Sequence, residues 1–379
     1  MLYFDNNATT MPCEAAVQEV RRATEELWHN PSSVHRPGQA ARAAVELARR
    51  DLATLVGAQP RDLILTSSGT ESIDLAIRGV LASSKRRVLV TTAVEHAAVR
   101  DLSEHLGRRG VEVRTLPLLP GGRVDVASLG GVIDESVAMV SVQWANNETG
   151  LVQPVAAIAA AARAAGAVMH CDGVQWVGKE TTDVRAVGID LLSYSAHKFH
   201  GIKGCGVLWV RPGVRLAPTI MGTQELGRRG GTEAVPAILA AGGAARAALA
   251  WLSGPGGRSG VGAARDLLES RIRTSIPDAV INGGGERVWN TTNIGFPGLQ
   301  AEALLMLLSE RGVCASAGAA CSSGSLEPSP VLLAMGVPER VAHGSIRLSL
   351  SRYTTEREVE ECAAAVAACV RTLRASGGV

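Results

Sequence analysis

Aromatic side chains are scarce in this sequence, at 3% of its 379 residues. Its core must therefore be built from Ala, Val, Leu and Ile, and a 46% hydrophobic share supplies them, as in ordinary globular enzymes. Lysine is scarce too: only positions 85, 179, 198 and 203 carry it, among 38 Lys plus Arg. A guanidinium cannot form an imine with an aldehyde, so each retained lysine is a candidate for chemistry that arginine cannot do. The seven cysteines (13, 171, 205, 314, 321, 362 and 369) form no CxxC pair and no metal-ligand spacing. An odd, scattered set reads as reduced thiols, most of them small core residues, and excludes a disulfide framework. Neither sign of charge dominates: the formal net charge is +2, with acids and bases interleaved, which excludes a dedicated surface for nucleic acid. No apolar run is read as reaching the length of a membrane span, and the N-terminal MLYFDNNATT lacks the basic-then-apolar layout of a signal peptide. The expectation is a cytoplasmic protein with no membrane and no direct nucleic-acid partner.

What the chain does have is alternation. Apolar runs predict strands at 62–67, 87–92, 137–144, 167–172, 190–195 and 206–210. Between them lie helical stretches such as 71–82 and the Ala-rich 155–166, which ends at Gly as a helix closing on its C-cap does. Continuous apolar strands separated by helices predict an α/β fold with a mostly parallel sheet covered on both faces. The Gly- and Ser-rich LSGPGGRSGVGA (252–263) interrupts the helical pattern and marks a boundary, with further helices expected at 264–275, 301–311 and 355–374. The reading is a large domain over 15–255 and a smaller α/β domain made of 1–14 and 256–379.

Candidate chemistry sits where strands end. SYSAHKFHGIKGCG (193–206) places the donors Ser195 and His197 beside Lys198, and an amine among donors suits a phosphorylated aldehyde. The alternative is a solvated loop lysine. In TSSGTES (66–72), Gly69 and Thr70 sit where a helix N-terminus would present N–H groups to phosphate. Alternatively, Ser68 or Thr70 simply caps that helix. HCDGVQ (170–175) places Asp172 at a carboxyl end, where ligands of open α/β sheets gather. A buried carboxylate there needs a cation, and a protonated pyridine nitrogen is one; Gln175 could reach a phenolic oxygen of the same ring. A helix cap is the alternative for Asp172. VEHAAV (94–99) presents His96, either to lie over a flat ring and relay protons or as a surface histidine at a helix start. WANNETG (144–150) presents Asn147, either to a ring substituent or as a turn residue before Gly150. GVCASAGAACSSGSLEPS (312–329) sets Cys321 among small residues that cannot pack a core, so about 314–327 reads as a mobile loop with an exposed thiol. Such a thiol suits a nucleophile that reaches a substrate and passes its cargo on; a merely tolerated cysteine is the alternative.

In chain order, DNNATT, NPSSVH, TSSGTES, VEH, NNETG, CDGVQ, SAHKFHGIKG, RRGGTE, CSSGSLEPS and HGSIRLSLSRYTT resemble the motifs of one family. Over essentially its whole length the chain is similar to the cysteine desulfurases of the NifS/IscS type, class-V aminotransferase-like pyridoxal-phosphate enzymes of fold type I. LEPS and the long cysteine loop resemble the NifS/IscS branch, since the SufS-like branch has a shorter loop.

The resemblance implies pyridoxal 5'-phosphate as cofactor, held through a Schiff base on Lys198, with Asp172 on the pyridine nitrogen and His96 on the ring. It implies Asn147 and Gln175 on the ring-oxygen side, and Gly69, Thr70, Ser195 and His197 on the phosphate. In family homodimers the residue matching Thr232 of the partner subunit joins them. Arg347 matches the arginine that clamps the substrate carboxylate, with Asn147 also on the substrate side. Lys198, Cys321 and His96 are the implied catalytic residues. The implied activity takes sulfur from L-cysteine, leaving L-alanine and a persulfide on Cys321. That persulfide supplies an iron–sulfur scaffold protein, with nitrogenase maturation one destination and Cys321 a transient cluster ligand there. Selenocysteine lyase, or sulfur donation to tRNA or other thiolation, is the alternative. One departure is Ala234, where such sequences usually carry Asn after GTE, and it leaves a dimer-side contact open.

Overall fold

The computed structural model describes residues 1–254, 257–318 and 327–377. The first strand, β1 (Leu2–Tyr3), is short. The next seven are β2 (Leu63–Thr66), β3 (Val88–Thr91), β4 (Glu112–Thr115), β5 (Val137–Gln143), β6 (Val168–Asp172), β7 (Leu191–Ser195) and β8 (Gly206–Val210). They form one sheet in the order β2-β8-β7-β6-β5-β3-β4. The neighbours from β7 through β4 pair in parallel, while β8 runs antiparallel to both β2 and β7. The α/β fold with a mostly parallel sheet is therefore as the sequence predicts.

Side chains of these strands alternate between two cores, the consequence of a two-residue repeat. Leu63 and Leu65 enter one core and Ile64 the other; Val88 and Val90 oppose Leu89, and Val207 and Trp209 oppose Leu208. Helices Glu14–Glu25, Arg36–Leu55, Val155–Ala164 and Val235–Ser253 cover the first face, and Gly69–Ser83 and Ala97–Gly107 cover the second. Burial on both faces is why the strands read as unbroken apolar runs.

Three features depart from the sequence expectations. Strand β4 was not foreseen: EVRT is exposed or half-exposed along its length, because it is the sheet edge, where charge blocks further pairing. Helix Val235–Ser253 is long and apolar enough to cross a membrane, contrary to the expectation that no run reaches that length. It serves as a core helix. A Cβ on Gly242 would stand 2.8 Å from Ala48 Cα, and one on Gly243 would stand 2.8 Å from the Ala15 carbonyl oxygen, so glycine there lets two helices pack closely on it. Third, most of the glycine-rich boundary is helical, since Gly257–Ser275 begins inside it. Glycine weakens a helix by about 1 kcal/mol per residue, but burial of Leu268 and Ile272 further along holds this one.

The remaining strands are β9 (Val280–Asn282), β10 (Thr291–Gly295), β11 (Val313–Cys314) and β12 (Ser345–Ser349). An antiparallel sheet β12-β10-β9 and helices Gly257–Ser275, Ala301–Glu310 and Glu356–Ala375 build a third core. The N-terminus joins it: β1 pairs in parallel with β11, and Phe4 is buried in that core. Five cysteines are buried (13, 171, 205, 362 and 369) and Cys314 is half-buried.

Candidate active site

Because β3, β5, β6 and β7 run in parallel, their carboxyl ends lie along one edge of the sheet, and the loops that follow converge. A cavity of ≈ 390 Å³ opens there, within the range of small-molecule sites. Gly69, Thr70, His96, Asn147, Asp172, Gln175, Ser195, His197, Lys198 and Arg347 all line it. Residues chosen from separate motifs are thus brought to one place. Thr232 is exposed and does not line this cavity, and Cys321 lies outside the described residues.

Each wall has a local cause. Ser68 caps helix Gly69–Ser83, its Oγ accepting from the Glu71 N–H at 3.1 Å. The first-turn N–H groups of Gly69 and Thr70 have no intrahelical acceptor and suit an anion. A Cβ at position 69 would stand 2.8 Å from Val174 Cγ2, so glycine keeps this end of the cavity open. Ser68 does the capping and leaves the N–H groups of Gly69 and Thr70 without a partner inside the helix. Lys198 closes the 3-10 turn Ala196–Lys198, and its Nζ donates to the carbonyls of Asn7 (2.6 Å) and Ala8 (2.8 Å). Ser195 Oγ donates to the Cys205 carbonyl at 3.2 Å, and His197 Nδ1 lies 3.2 Å from Thr9 Oγ1.

His96 is both a helix start and a cavity wall. Its Nδ1 accepts from the Ala98 N–H at 3.1 Å as the N-cap of Ala97–Gly107. Burial, then Lys198 and Arg100, hold its pKa down to about 4. The ring is therefore neutral near pH 7, and with Nδ1 accepting, its hydrogen sits on Nε2. His96 is set up as a hydrogen-bond donor, which narrows the proton-relay role read from the sequence.

Two carboxyls share the floor. Asp172 is 5% exposed, and burial raises its pKa to about 6, with the Val174 N–H on Oδ1 and nearby Lys198 pulling it back. No ion pair involves Asp172 among the described residues. Glu95 is pushed up to about 8 by burial, helped by Asp172, although Thr92 Oγ1 and the Gln143 N–H donate to it. At neutral pH Glu95 keeps its proton, and Asp172 carries the charge.

Arg347 lies on β12, 2% exposed. Its Nη2 meets Asp5 Oδ1 at 2.7 Å, and its Nη1 donates to the carbonyls of Asn147 (3.0 Å) and Gly318 (2.9 Å). Among the described residues its Nε is buried without a partner, and so is Asn147 Oδ1. The guanidinium is thus oriented on two sides at the cavity wall. Sequence reasoning missed Asn7, Glu95, Gln143 and Glu148, all of which line the cavity. Asn7 and Glu95 stand inside quoted motifs, DNNATT and VEH, and their position there was the available signal.

Residues 2–362 match the family described as aminotransferase class-V. The chain belongs to that family. Within it, a cysteine desulfurase of Cereibacter sphaeroides is 44% identical over 379 residues, covering 99% of this chain and 97% of that protein. A solved NifS-like protein superposes with a TM-score of 0.90 at 33% identity, covering 98% of this chain and 100% of that one. A structure described as SspA in complex with cysteine gives 0.81 at 30% identity, covering 94% of this chain and 100% of that one. The resemblance drawn from the motifs holds for family and fold, and this class-V aminotransferase relative is an enzyme similar to cysteine desulfurases.

Proposed function

We propose that the chain binds pyridoxal 5'-phosphate in this cavity and acts as a cysteine desulfurase, converting L-cysteine to L-alanine and leaving the sulfur as a persulfide on Cys321. One observation carries the reading: Asp172, a buried carboxylate without an ion-pair partner among the described residues, shares a single cavity with the amine of Lys198. The residues present fit the cofactor. A protonated ring nitrogen supplies the cation that Asp172 needs, and the space beside Gly69 receives a phosphate. When bound, the cofactor supplies a ring that accepts electrons from the substrate Cα.

The chain's own groups do the rest. Arg347 takes the substrate carboxylate with a donor whose orientation Asp5 and two carbonyls have fixed. Lys198 is placed to move the proton at the substrate Cα. His96 holds the substrate thiol by a hydrogen bond from Nε2 to its sulfur, which keeps its own hydrogen. Cys321, known here from sequence alone, attacks that sulfur as its thiolate. The new S–S bond forms as the Cβ–S bond breaks, and that electron pair goes to Cβ, which takes a proton to complete alanine.

The recipient of the sulfur is an iron–sulfur scaffold protein, a reading supported by the NifS-like names of relatives. A cytoplasmic homodimer completes the proposal, with Thr232, exposed here, reaching the site of the other subunit. The test is alanine formation from L-cysteine. Lys198→Ala should abolish it together with the visible absorbance of the loaded protein, and Cys321→Ser should stop multiple turnover while leaving that absorbance. Sustained turnover by Cys321→Ser sinks the persulfide assignment. If that variant also releases selenium freely from selenocysteine, the reading turns to a selenocysteine lyase.

A further inference from the structure

Lys179 is one of only four lysines, and it is 4% exposed beside the candidate site. Its Nζ donates to Gln175 Oε1 at 2.7 Å and to Asn7 Oδ1 at 2.8 Å. Burial holds its pKa well below the usual lysine value; Lys198 and Arg347 add to this and Glu180 opposes it. The catalytic scheme above makes no use of it.

The surrounding hydrogen bonds allow one arrangement. Gln175 Nε2 donates at 3.0 Å to the Asn7 backbone carbonyl, which can only accept, so the amide nitrogen must face that way. Asn7 Nδ2 likewise donates at 3.1 Å to the Asn147 carbonyl and at 2.9 Å to Thr291 Oγ1. Both amide oxygens therefore point to Lys179, which donates to each. Turning Gln175 over would set amide N–H groups against the lysine's donors and leave the Asn7 carbonyl facing an oxygen. One Gln175 N–H is spent on Asn7, and the other remains for the cavity that Gln175 lines. The same Asn7 carbonyl accepts from Lys198 Nζ at 2.6 Å.

We infer that Lys179 is a positioning residue for the cofactor site. It locks Gln175 as a hydrogen-bond donor toward the cofactor's ring oxygen, and through Asn7 it steadies the carbonyl that holds Lys198. The inference rests on the proposed binding of pyridoxal phosphate.

The readout is the pH midpoint of the visible absorption band of the protein loaded with pyridoxal phosphate. A donor at the ring oxygen weakens that oxygen's hold on the proton shared with the Lys198 nitrogen, so losing the donor raises the midpoint. Lys198, Arg347, Glu180 and His200 are the charged or titratable groups coupled to Lys179, with Arg352 lining the same small cavity, and all stay in place in the variants. Lys179→Met should raise the midpoint by about one unit, a tenfold change in the protonation equilibrium. Lys179→Gln, able to donate to one of the two acceptors, should give a smaller rise. An unmoved midpoint in folded Lys179→Met, even with a lowered thermal midpoint, overturns the inference and leaves a purely structural lysine. If that variant does not fold, an unmoved midpoint in Lys179→Gln does the same. A wild-type protein that shows no visible band with pyridoxal phosphate overturns the functional reading, and this inference with it.

Discussion

Strands β5 and β10 are both buried along their whole length, yet they are filled differently. β5 reads VAMVSVQ, and its mid-strand polar side chain meets counterparts on neighbouring strands: Ser141 Oγ lies 2.8 Å from His170 Nδ1, whose Nε2 lies 2.9 Å from Ser193 Oγ. β10 reads TTNIG, and two of its polar side chains reach outside its own sheet. Thr291 Oγ1 accepts from Asn7 at 2.9 Å, and Asn293 Nδ2 donates to the Glu148 carbonyl at 3.4 Å. The parallel sheet keeps its middle largely apolar and places its chemistry at strand ends. The antiparallel sheet carries polar groups in mid-strand, among them Arg347 of β12, and contributes to the cavity from there. One design announces itself in sequence as apolar runs closed by polar motifs. The other does not, because several of its polar residues meet partners from distant segments.

The largest test of the contrast lies where the parallel sheet breaks its own habit. Arg49 and Glu225 form a buried bidentate pair at 2.8 and 2.7 Å, and Glu225 also accepts from the Leu65 N–H of β2. Glu225→Ala leaves the buried Arg49 with only the exposed Glu46 as counter-charge and should cost about 3 kcal/mol in urea unfolding of the cofactor-free protein. A loss below about 1 kcal/mol would mean that the apolar packing carries this region alone.

Next comes the carboxyl at the strand ends. Glu95 has a folded pKa of about 8, above its ordinary value of 4.5, so between those values the folded state keeps a proton that the unfolded chain has given up. Its contribution to stability therefore falls as pH rises from 4.5 to 8, by at most about 1.4 kcal/mol per pH unit. Glu95→Gln should remove that slope. Its thermal midpoint relative to wild type should climb between pH 5 and pH 7, a gap of up to about 3 kcal/mol in the cofactor-free protein. His170, held down to about 3 by burial, acts in the opposite sense below 6.5 in both proteins and cancels in the difference. Parallel curves for the two proteins would place the proton elsewhere.

The smallest effect belongs to Arg347 on the antiparallel sheet. Losing a charge-assisted bond worth about 1.5–3 kcal/mol, Arg347→Met should raise KM for L-cysteine about tenfold to a hundredfold, with a smaller change in kcat. A lowered thermal midpoint with KM unchanged would make it a brace between Asp5 and the Gly318 carbonyl and nothing more.

Much of this was legible beforehand, for stated reasons. The apolar runs gave six strands because both faces are buried, and His96, Asp172 and Lys198 stood out because each follows or ends one of them. Strand β4 escaped because an edge needs no apolar pattern, and the helical start of Gly257–Ser275 escaped because packing overrides glycine's poor propensity. Ser68 proves to be the helix cap that the sequence offered, and Gly69 and Thr70 line the cavity beside it.

By itself, the sequence determined the alternation of apolar strands with helices, the mostly parallel sheet, the strand ends that bear polar motifs, and the family. These follow from spacing along the chain. What tertiary structure decided is which groups meet: that Asn7 lies between Lys179 and Lys198, that Asp5 occupies one edge of Arg347, and that Glu95 holds a proton while Asp172 does not. Hydrogen bonding and desolvation act over a few ångströms of space, and residues more than 150 positions apart become such neighbours only when the cores close around them.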